Sequence, residues 1–195
     1  PSDWPDNLPS VVDLGPGSPT GVLFGTDAAF PGRYRDAVYL LDWTFGTMWA
    51  VHLEQDGASY TGTREVFVAG RPLPLADAAI SSVDGAMYVV LGGRGVPSAV
   101  YRIRYAGADV APAPRSAPND AMVRRRALEE HHRPDAPQSA IDEAWAALAS
   151  DDRHIAFAAR TALEHQPVDR WIDRAAGESD AATATARPAP IPTPP

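Results

Sequence analysis

Alternating apolar and polar residues dominate the first half of the chain, and helical stripes dominate the second. Residues 21–24 read as a short strand. After a turn at Phe30-Pro31-Gly32-Arg33-Tyr34-Arg35, the pattern predicts strands over 37–41, 47–53 and 64–69. The last sets Val66 and Val68 against Glu65 and Phe67, as a half-exposed outer strand does. Gln55-Asp56-Gly57 is a hairpin signal, because Asp-Gly suits backbone with φ > 0. Three more strands are predicted over 78–81, 86–90 and 99–105, with Val83-Asp84-Gly85 as their first turn. From Asn119 the period becomes helical. One helix is expected over 122–132 and another over 138–149, where Ile141, Ala144, Trp145 and Leu148 fall at i, i+3, i+4 and i+7. Ser150 reads as the N-cap of the next, followed by Asp151 and Asp152 at its positive end. Ile155, Ala158, Ala159, Ala162 and Leu163 form its buried stripe, Pro167 stops it, and 168–176 is a further short helix.

Inside the strand region lies a faint repeat. Ala37-Val38-Tyr39-Leu40-Leu41 answers to Ala86-Met87-Tyr88-Val89-Val90, and each run is followed by a Gly-bearing turn and a second strand. A period of about 40–50 residues built of short strands marks β-propeller blades, each of which buries its faces against its neighbours. The expected architecture is therefore a β-propeller fragment of about two antiparallel blades, followed by an all-α HEAT-like segment. In domains, 1–19 is an irregular lead-in, 20–105 holds the blades, 106–118 is a linker, 119–176 is the helical region and 177–195 is an Ala/Thr/Pro-rich disordered tail. The second blade has three local strands, so its fourth is expected from elsewhere in a larger propeller. Closed propellers need about four or more blades, and the chain reads as a piece of a larger protein.

Composition narrows the chemistry. The 195 residues contain no Cys, which excludes a thiolate nucleophile, a Cys zinc site, a disulfide and covalent c-type haem attachment. All 17 basic residues are Arg, so Schiff-base and phosphate-loop lysines are excluded as well. A formal charge of −8 argues against nucleic-acid binding. No apolar run approaches the roughly 20 residues that span a bilayer.

Several short motifs carry a resemblance. In order they are Thr20-Gly21-Val22-Leu23-Phe24-Gly25, Phe30-Pro31-Gly32-Arg33-Tyr34, Leu40-Leu41-Asp42-Trp43-Thr44-Phe45-Gly46, Gly57-Ala58-Ser59-Tyr60-Thr61-Gly62, Pro72-Leu73-Pro74-Leu75-Ala76-Asp77 and Gly92-Gly93-Arg94-Gly95. Together they resemble the last blades of bacterial, planctomycete-like, membrane-bound or secreted propellers of the glucose/sorbosone dehydrogenase type. The segment 148–171, with Phe157-Ala158-Ala159-Arg160 and Leu163-Glu164-His165-Gln166-Pro167, resembles the start of the HEAT region that follows such propellers. The resemblance implies a periplasmic or extracytoplasmic protein. It also implies, for the full-length protein, a quinoprotein-like sugar or alcohol dehydrogenase with a PQQ-like quinone, calcium and haem c, and no cofactor held within this chain. The competing expectation is a non-catalytic propeller–HEAT binding module. Partners are a small polyol or sugar, or a protein at the HEAT surface.

If the strands are placed correctly, Asp42, Trp43, Arg71, Asp77 and Arg94 sit on loops at one end of the blades. Guanidinium groups pair with carboxylates in bidentate fashion and indole stacks on flat rings, so the set suits a polyol or an acidic cofactor. The competing expectation has Asp42 and Asp77 fixing tight loops through backbone N–H groups and Arg94 pairing with one of them. His52 lies mid-strand and reads as outward surface. His154 and His165 are too far apart along one helix to share a metal, and His131 and His132 suit a helix C-terminus.

Overall fold

The computed structural model describes residues 7–108, 116–179 and 183. Its contacts divide the chain into two units. One comprises the described residues within Pro1–Ser10, Gln55–Ser59 and Ala117–Pro195; the other comprises Val11–Glu54 and Tyr60–Ser116. Most of the 177–195 tail, and residues 109–115 of the linker, lie outside the described residues.

The second unit is built of two antiparallel sheets. The first holds β1 (Pro19–Phe24), β2 (Val38–Asp42), β3 (Thr47–Asp56) and β4 (Ser59–Ala69), in that order. A four-residue helix, α1 (Gly32–Arg35), interrupts the β1–β2 connection. The second sheet holds β5 (Leu75–Ile80), β6 (Met87–Gly93) and β7 (Val96–Ile103). The seven strands fall as the alternation predicts, grouped four and three. Central strands β2 and β6 read as nearly unbroken apolar runs, the pattern of a strand with apolar neighbours on both faces.

Ladder register makes the repeat concrete. In the first sheet Tyr39 pairs with Leu23 and Ala50; in the second Tyr88 pairs with Ala79 and Arg102. Both first strands bulge at the same rung, opposite Leu41–Asp42 and opposite Val90–Leu91. Tyr39, Leu41 and Met48 on the front of the first sheet are thus equivalent to Tyr88, Val90 and Val100. Val22, Phe24 and Leu40 on its back are equivalent to Ala78, Ile80 and Val89.

Burial of these equivalents is inverted. Tyr39, Leu41 and Met48 are 0–1% exposed, but Tyr88, Val90 and Val100 are 36%, 44% and 66% exposed. Val22 and Phe24 are 65% and 61% exposed, but Val89 is at 2%. The front of sheet one packs on the back of sheet two, in a core that joins Tyr39, Leu41 and Met48 to Met87, Val89 and Leu91. A front-to-front sandwich would have buried the same residues in both sheets; this is front-to-back stacking. The Thr20 hydroxyl stitches the two first strands together, donating to the Leu75 carbonyl at 2.8 Å. The lead-in is also tied down, since the Gly62 N–H donates to the Val11 carbonyl at 2.9 Å.

The other unit is helical. It contains α2 (Asp120–Glu129), α3 (Gln138–Ala147), α4 (Arg153–Glu164), a 3₁₀ turn (Val168–Arg170) and α5 (Ile172–Gly177). The apolar stripes predicted on α3 and α4 form its core, with Leu128, Trp171 and Ala175. The cap of α4 is Asp152 and not Ser150: Asp152 Oδ1 accepts from the N–H groups of His154 and Ile155. A carboxylate meets the positive helix end more favourably than a hydroxyl, and the Ser150 hydroxyl instead accepts from the Asp152 N–H. The division also departs from contiguous blocks, since the described lead-in up to Ser10 and a hairpin tip both join the helical unit. The hairpin tip 55–59 belongs to the helical unit, where Ala58 is fully buried in the core. There the Ala58 N–H donates to Asp152 Oδ2 at 2.6 Å, and Asn119, the N-cap of α2, donates through Nδ2 to the Gly57 carbonyl.

Candidate functional site

The five residues singled out in the sequence divide into a pair and three separate groups, and not all are on loops: Asp42 is the last residue of β2 and Asp77 lies within β5. Asp42 is a loop organiser. Its Oδ1 accepts from the N–H groups of Ser18 at 2.7 Å and Thr44 at 3.1 Å, and its Oδ2 accepts from Phe45 N–H at 3.0 Å. Three backbone donors on a nearly buried carboxylate leave it little capacity for a ligand. Asp77 Oδ1 accepts from the adjacent Ala78 N–H and lies against Gly21, whose missing side chain leaves it room. Arg71 is exposed at the Arg71–Pro72 cis peptide, and among the described residues no polar partner engages it.

Trp43 and Arg94 do come together. The indole N–H of Trp43 donates to the Gly92 carbonyl at 2.8 Å, which fixes the ring beside the β6–β7 turn. The Arg94 guanidinium lies 5.2 Å from the ring centroid, a cation–π stack. The backbone explains why Arg94 is presented there. Gly93 pairs with Val96, so the hairpin loop is only Arg94-Gly95, and both have positive φ, 51° and 77°. Two-residue hairpins demand that geometry to match the strand twist. Glycine adopts it freely, whereas a residue with a Cβ is strained by about 1–2 kcal/mol. Arg94 is the one non-glycine residue with positive φ among the described residues. Among them no acceptor engages its guanidinium, so the expected pairing with Asp42 or Asp77 is replaced by the indole stack.

A second constellation escaped the sequence reading. His52 is not an unpartnered surface residue: it continues the inward phase of Met48 and Ala50 and meets Arg33, Tyr34 and Glu65. Its Nδ1 is 3.2 Å from the Arg33 carbonyl, and its Nε2 is 2.9 Å from Glu65 Oε1 and 3.1 Å from Arg33 Nη2. Arg33 Nη2 also donates to Glu65 Oε1 at 2.8 Å. Hydrogen bonding from His52 holds the Glu65 carboxyl below its ordinary range, with Tyr34 and the Arg33 charge adding to it. Burial raises the Tyr34 hydroxyl, and Glu65 raises it further. Beneath them Phe67 packs edge-on to Tyr39 at 4.8 Å, and the Tyr39 hydroxyl donates to the Tyr34 carbonyl. The groups satisfy one another, which makes the cluster a clasp between α1 and the β3–β4 pair. A polar residue on the buried phase of a strand was the signal that pointed to it.

In the helical unit His132 and His165 stack with centroids 5.5 Å apart, and each also faces a backbone carbonyl, of Ala158 and Thr161. Among the described residues no group of three or more His, Asp or Glu is placed to hold a metal ion, and no helix is long and apolar enough to cross a membrane. No protein-family model matches the chain, and neither the curated proteins nor the solved structures contain a significant match to it.

Proposed function

We propose that the two sheets are consecutive blades of a β-propeller, and that the end carrying Trp43 and Arg94 binds a small ligand bearing a carboxylate, such as a sugar acid or an acidic quinone. The carrying observation is the Arg94 guanidinium, held in strained backbone on the face of Trp43 with no acceptor of its own. Strain of this kind persists where the surrounding structure over-determines it, and it concentrates at binding sites. Front-to-back stacking supports the propeller reading, because that is how successive blades meet. The α3–α4 pair is read in the same way as a HEAT-like element presenting a surface to a protein partner. Oxidation of a bound polyol, as in a dehydrogenase-type propeller, would require a general base at this end. Both carboxylates there are engaged by backbone N–H groups, so ligand binding is the step this chain's own residues support.

Titration of the chain with gluconate and with sorbitol, followed by calorimetry, tests this. The carboxylate is expected to bind more tightly than the neutral polyol. Arg94→Ala should weaken it by about 1–3 kcal/mol, the value of a charge-assisted hydrogen bond. Equal affinities for wild type and variant would return Arg94 to a purely structural role.

A further inference from the structure

The equivalence between the sheets says what each open face is built to meet. The exposed front of sheet two, Tyr88, Val90 and Val100, occupies the rungs that Tyr39, Leu41 and Met48 occupy in sheet one. Those three are buried in the core they share with Met87, Val89 and Leu91 on the back of sheet two, where Phe30 and Phe67 also cover Tyr39. The exposed back of sheet one, Val22 and Phe24 beside Leu40, occupies the rungs of Ala78, Ile80 and Val89; Val89 is buried, and Ala78 and Ile80 are partly buried, in the core shared with the front of sheet one. The chain thus carries a donor face and a receptor face for the same apolar contact, one at each end of its two-sheet stack. From this we infer that copies of this chain associate head to tail, the front of sheet two in one copy packing on the back of sheet one in the next.

Such an interface is heterologous, and repeated at the rotation between successive propeller blades it closes into a ring. Propellers close with four to eight blades, so two sheets per copy predict assemblies of roughly two to four copies. The inference rests on reading the sheets as consecutive blades, and it continues an interface already present inside the molecule. It does not depend on a ligand.

Sedimentation velocity on the full chain, from about 1 to 100 μM, reads the outcome. Wild type is expected to form a concentration-dependent oligomer of the predicted size. Val22→Glu spoils only the back face and Val100→Glu only the front; both positions are exposed, so unchanged circular dichroism and urea midpoints are expected. Each variant alone should be monomeric. Their equimolar mixture should give a heterodimer and nothing larger, because one intact front meets one intact back. Phe24→Glu and Val90→Glu repeat the test should either first variant fold poorly. A wild-type monomer throughout the range, a homodimer of either variant, or a mixture that stays monomeric would each overturn the inference. Arg94→Ala should assemble like wild type, so a failure of ligand binding and a failure of assembly are read independently.

Discussion

Tyr39 and Tyr88 stand on the same rung of two sheets built to one ladder, and their surroundings are opposite. Tyr39 is sealed: its ring meets Phe67 and Phe30, and its hydroxyl donates to the Tyr34 carbonyl. Tyr88 is open, its hydroxyl 3.3 Å from the Asp84 carboxylate and its ring against solvent. The connections differ as well. Sheet one reaches its second strand through a long loop with α1 and the His52–Glu65 clasp; sheet two does so through a turn organised by Ser81 and Asp84. The difference teaches that residue type alone does not determine burial in a repeat. Position in the stack does, and the two residues diverge because only one of their faces has a neighbour.

The sharpest way to break this comparison is truncation of the two tyrosines. Tyr39→Ala should cost about 3–5 kcal/mol, the range for a large aromatic removed from a packed core. Tyr88→Ala in the monomer should cost less than about 1 kcal/mol. Urea denaturation of both variants decides it, and equal losses would mean that Tyr88 is already covered.

A smaller effect of opposite sign is expected at the turns. Sheet one joins β2 to β3 through four residues, Trp43 to Gly46, in a loop held by Asp42, whereas sheet two uses only Arg94-Gly95. Arg94→Gly should relieve about 1–2 kcal/mol of backbone strain. The lost exposed cation–π stack, worth about 0.5–1 kcal/mol, offsets part of that gain. The variant should be more stable than wild type by about 0.5–1 kcal/mol while losing carboxylate binding, a trade between stability and function. Destabilisation would show that the indole stack, and not the ligand, explains the choice of Arg.

The smallest effect separates the two polar clusters by pH. The Ala86 N–H, then the Ser81 hydroxyl and Arg102, hold the Asp84 carboxyl down at about 2. Because the folded value is depressed, the stability it contributes is present above its unfolded pKa of about 4. That contribution is lost as pH falls through about 2. Glu65 is depressed too, through His52 first, so its contribution is likewise lost on the acid side. Urea midpoints between pH 5 and 2 should fall in wild type, and they should fall less in Asp84→Asn and Glu65→Gln. An unchanged slope in either variant would remove that cluster from the acid response.

Much of this fold is legible from local pattern. Strand alternation, the Asp-Gly turn and the α3 and α4 stripes each depend on residues a few positions apart, and these elements are present, although β4, β5 and β7 begin three to five residues earlier than the pattern put them and the helix expected over 168–176 is divided into a 3₁₀ turn and α5. What was illegible depends on distant partners. The alternation of β3 assigns His52 a phase but cannot reveal that Glu65 and Arg33 of α1 will close on it. Of the five candidate residues Trp43, Arg71 and Arg94 lie on turns, whereas Asp42 ends β2 and Asp77 lies within β5 beside its bulge. Their roles diverged for reasons of backbone geometry: Asp42 stands where the N–H groups of Ser18, Thr44 and Phe45 converge, and Arg94 occupies one of only two loop positions. Asp152, which caps α4 in place of Ser150, likewise has a second partner beyond local pattern, the N–H of Ala58 almost a hundred residues away.

That last contact has a practical consequence for anyone cutting the chain. Linker composition invites a cut near residue 117, with the helices expressed alone. Such a fragment would lack Ala58, which fills part of its core, and would leave Asp152 Oδ2 and the Asn119 amide without the backbone groups they hold. The helical unit is spatially one body but is encoded in separate stretches, and part of its core is a hairpin tip contributed from within the strand sequence. Swapping, grafting or circularly permuting these helices will succeed only if the residues 55–59, and with them the lead-in up to Ser10, travel along.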